Sequence, residues 1–181
     1  MEPLDFWPLI DTSLKVALGA AITLVAGWAM NRGKAIFGTG EPTPENRRLE
    51  LLEQVSADVG NVNHIFAKYA ALVIESTRFG ARWPAARRAE LEKVNQELVA
   101  AFKKMSDAES RLLMLGEKLM EKTLRLYSAK IAYFRKQVYV GRQDIGEKEI
   151  AAIRQEIAQL REQFYDILSK KYDRLLETAR A

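Results

Sequence analysis

The chain contains no cysteine and a single histidine among 181 residues. Without thiols there is no disulfide framework and no thiolate metal site. One imidazole cannot furnish the two Glu-x-x-His motifs of a helical di-iron centre. His64 stands in NVNHIF with neither His nor Glu three or four residues on, so it reads as a polar residue on a helix face. A phosphate-binding loop is also missing. GTGEPT, residues 38–43, lacks the Lys-Ser/Thr that cradles a β-phosphate and its magnesium ion. Acidic residues such as Glu97, Asp107 and Glu109 fall on charged helix faces and form no recognisable acid/base pair. No catalytic residue, metal or cofactor is therefore expected, nor a small-molecule substrate, and the chain is read as a non-enzyme.

Proline is scarce as well. It occurs at 3, 8, 42, 44 and 84, so nothing forbids helix over the last 97 residues. Abundant Ala, Leu, Glu, Lys and Arg favour helix positively. The net charge is only +4. Residues 1–30 hold one of the 28 basic and three of the 24 acidic residues, leaving 27 basic and 21 acidic for the other 151. That excess is too thin for a dedicated nucleic-acid binder, and nucleic acid is not expected as a partner.

The distinctive feature is a run without charge, Val16 to Met30, inside LKVALGAAITLVAGWAMNRG. Fifteen residues alone fall short of the ~20 that a bilayer requires. The flanks lengthen it: Asp5 can cap a helix whose first turn holds Phe6, Trp7 and Pro8. Trp7 and Trp28 would then be interface anchors separated by about 31 Å of helix axis, close to the hydrocarbon thickness. A cleavable export signal wants basic residues before its apolar core, whereas Glu2, Asp5 and Asp11 precede this one. A buried helix of a soluble bundle is the other competing reading, because Ala and Gly dilute the hydrophobicity. The favoured expectation is a single transmembrane helix over about 6–32, with membrane lipid as a partner. Arg32 and Lys34 follow the span, which puts the N-terminus outside and the C-terminal part in the cytoplasm, at the cell (inner) membrane. Gly19, Thr23 and Gly27 recur every fourth residue and form a small face through which spans could pack.

Residues 34–43 read as a Gly/Pro linker, with Thr43 as N-cap and Pro44 at the first helical position. From 44 to 181 the expected domain is all-α, an antiparallel, coiled-coil-like bundle of three or four long helices over about 44–79, 84–115, 117–140 and 145–180. The first seam is Leu52, Val55, Val59, Val62, Phe66, Tyr69 and Val73, closed by Gly80. The second runs Leu91, Val94, Leu98, Ala101, Met105, Ala108, Leu112, Leu115 and Leu119. Beside Gly116 the phase slips by one, to Met120, Leu124, Tyr127, Ile131, Phe134 and Val138. The slip marks a break or kink; a single rod of some 57 residues is the alternative. Asp144 with Glu147 matches a capping box for the last helix, whose seam is Ile150, Ile153, Ile157, Leu160, Phe164 and Ile167, then Leu168, Tyr172 and Leu175.

One cluster is singled out for function. RFGARWPAARR gathers Arg78, Arg82, Arg87 and Arg88 around Phe79 and Trp83, a combination that suits a partner surface. The competing account is structural: Arg78 answers a helix C-terminus and Trp83 plugs the end of the core. Together these features predict a membrane-anchored, non-catalytic scaffold or assembly factor that self-associates or binds a protein. A subunit of an oligomeric membrane pore or effector complex is the alternative. A soluble basic helical nucleic-acid-binding protein is a third.

Overall fold

The structure, a computed structural model, describes residues 43–142 and 144–180. The expected membrane helix, with Trp7, Gly19, Thr23, Gly27 and Trp28, lies outside the described residues. Among those that are described there are four long helices and no strand, and no helix is long and apolar enough to cross a membrane.

Helix α1 spans Pro44–Phe79, α2 Ala85–Met114, α3 Lys118–Gln137 and α4 Glu147–Arg180, with a short 3-10 turn at Gly80–Arg82. Helix α1 begins as its sequence dictates. Thr43 is extended, its hydroxyl accepts from the Asn46 N–H at 3.2 Å, and Pro44 occupies the first turn, where an N–H is dispensable. It ends at Gly80, whose φ of 55° lies in the left-handed region.

Neighbouring helices run antiparallel, because the number of one partner in each cross-link rises as the other falls. Arg111 meets Asp58 at 2.7 Å and Arg87 meets Glu75 between α2 and α1. Ser128 donates to Glu109 at 3.2 Å and Arg135 to Asn95 at 2.7 Å between α3 and α2. Lys130 pairs with Glu156 between α3 and α4. Arg161 donates to Asn63 at 3.2 Å and Tyr172 to Glu53 at 2.6 Å, joining α4 to α1. The ring of four is closed. Phe66 of α1 and Phe134 of α3 meet edge to face across its centre, ring centroids 5.2 Å apart.

The expected break beside Gly116 is present, and it is a full reversal of the chain, not a kink in a single rod. The Gly116 N–H bonds the Leu113 carbonyl at 3.0 Å and the Glu117 N–H bonds the Leu112 carbonyl at 2.9 Å. These are the paired bonds of a Schellman stop, with Gly116 at φ 78° in the left-handed position that favours glycine. The phase slip now has a cause. A helix that turns back must present a new face to the core, so Met120 is buried and Leu119 is 63% exposed. Leu119 therefore leaves the seam in which its spacing places it.

Every residue of the first seam is buried, and so is the second from Leu91 through Leu112. In α4 the shift from Ile167 to Leu168 is real: Leu168 is buried and Ile167 only partly so. Two local expectations give way. Helix α3 stops at Gln137, three residues early, because Arg142 folds back and donates to the Gln137 carbonyl at 2.5 Å. Beyond it Val138 is extended, residues 140 and 141 turn, and Val138 and Ile145 are buried. Asp144 does not cap α4, since its carboxylate accepts from Arg142 at 3.0 Å.

One end of the bundle, here called proximal, thus collects Thr43, the α2–α3 turn and the close of α4. The other, distal, end collects the α1–α2 turn and the α3–α4 connection. Thirty-six residues of α1 separate them by about 54 Å.

Candidate functional site

The Arg/aromatic cluster occupies the distal end, and the fold divides it in two. Trp83 is 3% exposed, and its indole N–H donates to Glu75 Oε1 at 3.1 Å. Arg87 donates from Nε to that same oxygen at 3.1 Å and from a terminal nitrogen to the other. It also reaches Glu90 at 2.5 Å. The Glu75 carboxyl is held below the usual carboxylate range, first by the Arg87 hydrogen bonds and then by Trp83. The hydrogen bonds to Glu75, and then to Glu90, raise Arg87 above its ordinary value. Arg78 is bound outward to Glu147 of α4 at 3.0 Å. Arg78, Trp83 and Arg87 therefore staple helices together. Phe79, Arg82 and Arg88 are the exposed remainder at that end.

Several other polar side chains also bridge helices or turns. Tyr165 donates to the Ser56 carbonyl at 3.3 Å and closes the α1–α4 seam. Glu117 beside the proximal turn meets Lys171 at 2.7 Å. His64 is exposed on α1, next to Asn63, which accepts from Arg161. Among the described residues no three His, Cys, Asp or Glu side chains gather as a metal site would require. Tyr127 is wholly buried, and its hydroxyl has no partner among the described residues. Burial drives its pKa well above the ordinary tyrosine range, so it does not ionise. It acts as a core ring.

A second surface was not singled out from the sequence. The solvent side of α3 shows Leu119, Leu126 and Tyr133, the last two 50% and 44% exposed. Seven-residue spacing on a helix turns the stripe by only about 20° per step, so the three form one line. Around it stand the exposed Lys118, Lys122, Arg125 and Lys136, while the remaining exposed positions in the body of this helix are Ala129 and Ala132. The helix has one acid, Glu121, and it is buried. Leu126 and Tyr133 also flank an open groove shared with Leu160 of α4. The signal was present in the sequence. An outer heptad parallels the inner one, but it is drowned by the stronger seam beside it.

No family model matches the chain, and no curated protein or solved structure matches it.

Proposed function

We propose that the chain is a single-pass membrane-anchored scaffold whose cytoplasmic bundle presents surfaces to other proteins and performs no catalysis. The observation that carries this reading is the uncharged run Val16–Met30, with Glu2, Asp5 and Asp11 before it and Arg32 and Lys34 after it. Two features of the bundle support it. Thr43 and Pro44 start α1 cleanly after a linker of about ten residues, as suits a domain carried on a tether. The ionic pairs Arg111–Asp58, Lys130–Glu156 and Lys171–Glu117 bridge helices, as suits a stiff body that presents surfaces to others. The exposed Phe79, Arg82 and Arg88, at the far end from the tether, are the partner surface this reading favours.

Membrane fractionation of the full chain followed by carbonate extraction tests the anchor. An integral protein stays with the pellet. Release into the supernatant defeats the proposal and leaves the soluble readings, including nucleic-acid binding with its steep salt dependence.

The small face Gly19, Thr23 and Gly27 favours a second reading, in which several spans associate as an oligomeric membrane complex or pore. Mass measurement in detergent separates the two. A monomer or dimer supports the scaffold, a defined larger ring the pore. In either, Gly19→Leu with Gly27→Leu should reduce the oligomer; an unchanged size removes that face from the mechanism.

A further inference from the structure

We infer that the outer face of α3 is a docking surface for an anionic lipid bilayer. The inference rests on the anchor reading for the proximity of that bilayer. Leu119, Leu126 and Tyr133 form an apolar line, and Lys118, Lys122 and Lys136 stand beside it with no ion-pair partner among the described residues. The exposed acid beside the stripe, Glu156 of α4, is neutralised by Lys130, and a basic, partly apolar helix with no exposed acid of its own has the chemistry that settles into the headgroup region of a negatively charged leaflet.

Three occupants compete for such a face. A second copy of the same face is disfavoured, because each copy would bring only positive side chains to the contact. An acidic protein fits the charge but has no other support in the molecule. A bilayer has two further arguments. The first is where the chain outside the described residues joins the bundle. Thr43 opens α1 at the proximal end, the end at which Leu119 begins the stripe. The ten residues from 34 to 43 reach at most about 35 Å when extended, and the stripe from 119 to 133 is about 21 Å long. A membrane holding residues 16–30 would thus be tethered at the end of the bundle where the stripe begins. The second argument is the tip itself. Met114 is 79% exposed and Leu113 is exposed beside it, in the last turn of α2 where α3 starts. Large exposed apolar side chains at the tethered end add to the apolar surface available there.

The absence of cysteine makes the test clean, since a single introduced thiol carries the only label. The full-length chain bearing Leu126→Cys, or Asn61→Cys on the outer side of α1, is coupled to an environment-sensitive fluorophore. Each is reconstituted with vesicles of phosphatidylcholine alone or with a third phosphatidylserine, both containing nitroxide lipid. Both proteins should float with both kinds of vesicle. The label at 126 should be quenched about threefold or more strongly on anionic than on neutral vesicles, while the label at 61 changes little. Lys118→Glu with Lys122→Glu and Lys136→Glu should return 126 to its level on neutral vesicles. Flotation with equal, weak quenching at both positions overturns the lipid face and leaves the anchor standing. Failure to float with neutral vesicles, but flotation and quenching at 126 on anionic ones, removes the anchor and keeps the face. Failure to float with either removes both. A label that stays exposed on anionic vesicles yet is shielded by polyglutamate assigns the face to an acidic protein and overturns the inference.

Discussion

Trp83 donates its indole N–H to Glu75, eight residues earlier and on the far side of the α1–α2 turn, at 3.1 Å. With Arg87 on the same carboxylate, a cluster that could have been all surface becomes a clamp. The aromatic ring goes inward because its one polar atom has a partner there. The guanidinium follows the carboxylate that this partnership fixes.

The clamp should be pH-dependent in a definite sense. The Glu75 carboxyl lies below its ordinary 4.5 in the folded state. A depressed carboxylate stabilises the fold fully at neutral pH and loses that contribution as pH falls through the unfolded value toward the folded one. Glu75→Gln should therefore lower the thermal midpoint at pH 7, and the gap from the parent should narrow below pH 4. Circular dichroism melts at both pH values check it; a constant gap would mean that the charge contributes nothing.

Dividing the distal cluster gives a second expectation. Trp83→Ala should cost about 3–5 kcal/mol, as for other large buried side chains. The triple variant Phe79→Ala, Arg82→Glu, Arg88→Glu should stay within about 0.5 kcal/mol of the parent, since these side chains are exposed. If the exposed half is a partner surface, the triple variant loses the adducts formed by a photo-crosslinker at Ala81, which is also exposed. Denaturant titration and crosslinking read the two halves independently.

Tyr127→Phe removes a buried hydroxyl that has no partner among the described residues. Leaving such a group unsatisfied carries a desolvation cost, so the variant should be neutral or more stable by about 1 kcal/mol. A loss greater than about 1 kcal/mol in urea would reveal a hydrogen bond, direct or through water.

The glycines divide by conformation. Gly60 lies within α1, and a Cβ there would meet the Tyr165 hydroxyl at an ordinary 3.7 Å. Gly60→Ala should stabilise by about 0.5–1 kcal/mol through backbone entropy. Gly116 has φ 78°, and Gly116→Ala should destabilise by about 1–2 kcal/mol although the space around it is open. Equal effects of the two substitutions in one chemical-denaturation series would contradict the Schellman turn.

Local chemistry was the legible part. Thr43, Pro44 and Gly80 bracket α1 because caps and stops act within four residues. The inner seams of α1 and α4 follow from spacing, since any helix carrying Leu52, Val55 and Val59 on one side must bury that side. Gly116 shows where legibility fades. A slip of one position is compatible with a kink, a rod or a reversal, and the choice depends on whether Met120 or Leu119 finds apolar company. Asp144 was misread because Arg142, two residues away, offers the carboxylate more than an uncapped N–H does. The α3 surface was visible only once the inner seam had been assigned and subtracted.

The sequence by itself determined that residues 44–180 form helices, where the first begins and ends, and which inner faces are apolar. Those properties come from propensity, capping and period, all of which act over one or two turns. Only the tertiary structure decided that the chain turns back at Gly116, that Trp83 and Arg87 close on Glu75 while Arg82 stays exposed, and that α3 shows a basic apolar line to the outside. Each of those outcomes is settled between residues far apart along the chain, by which side chains share the one dry interior and which are left facing water.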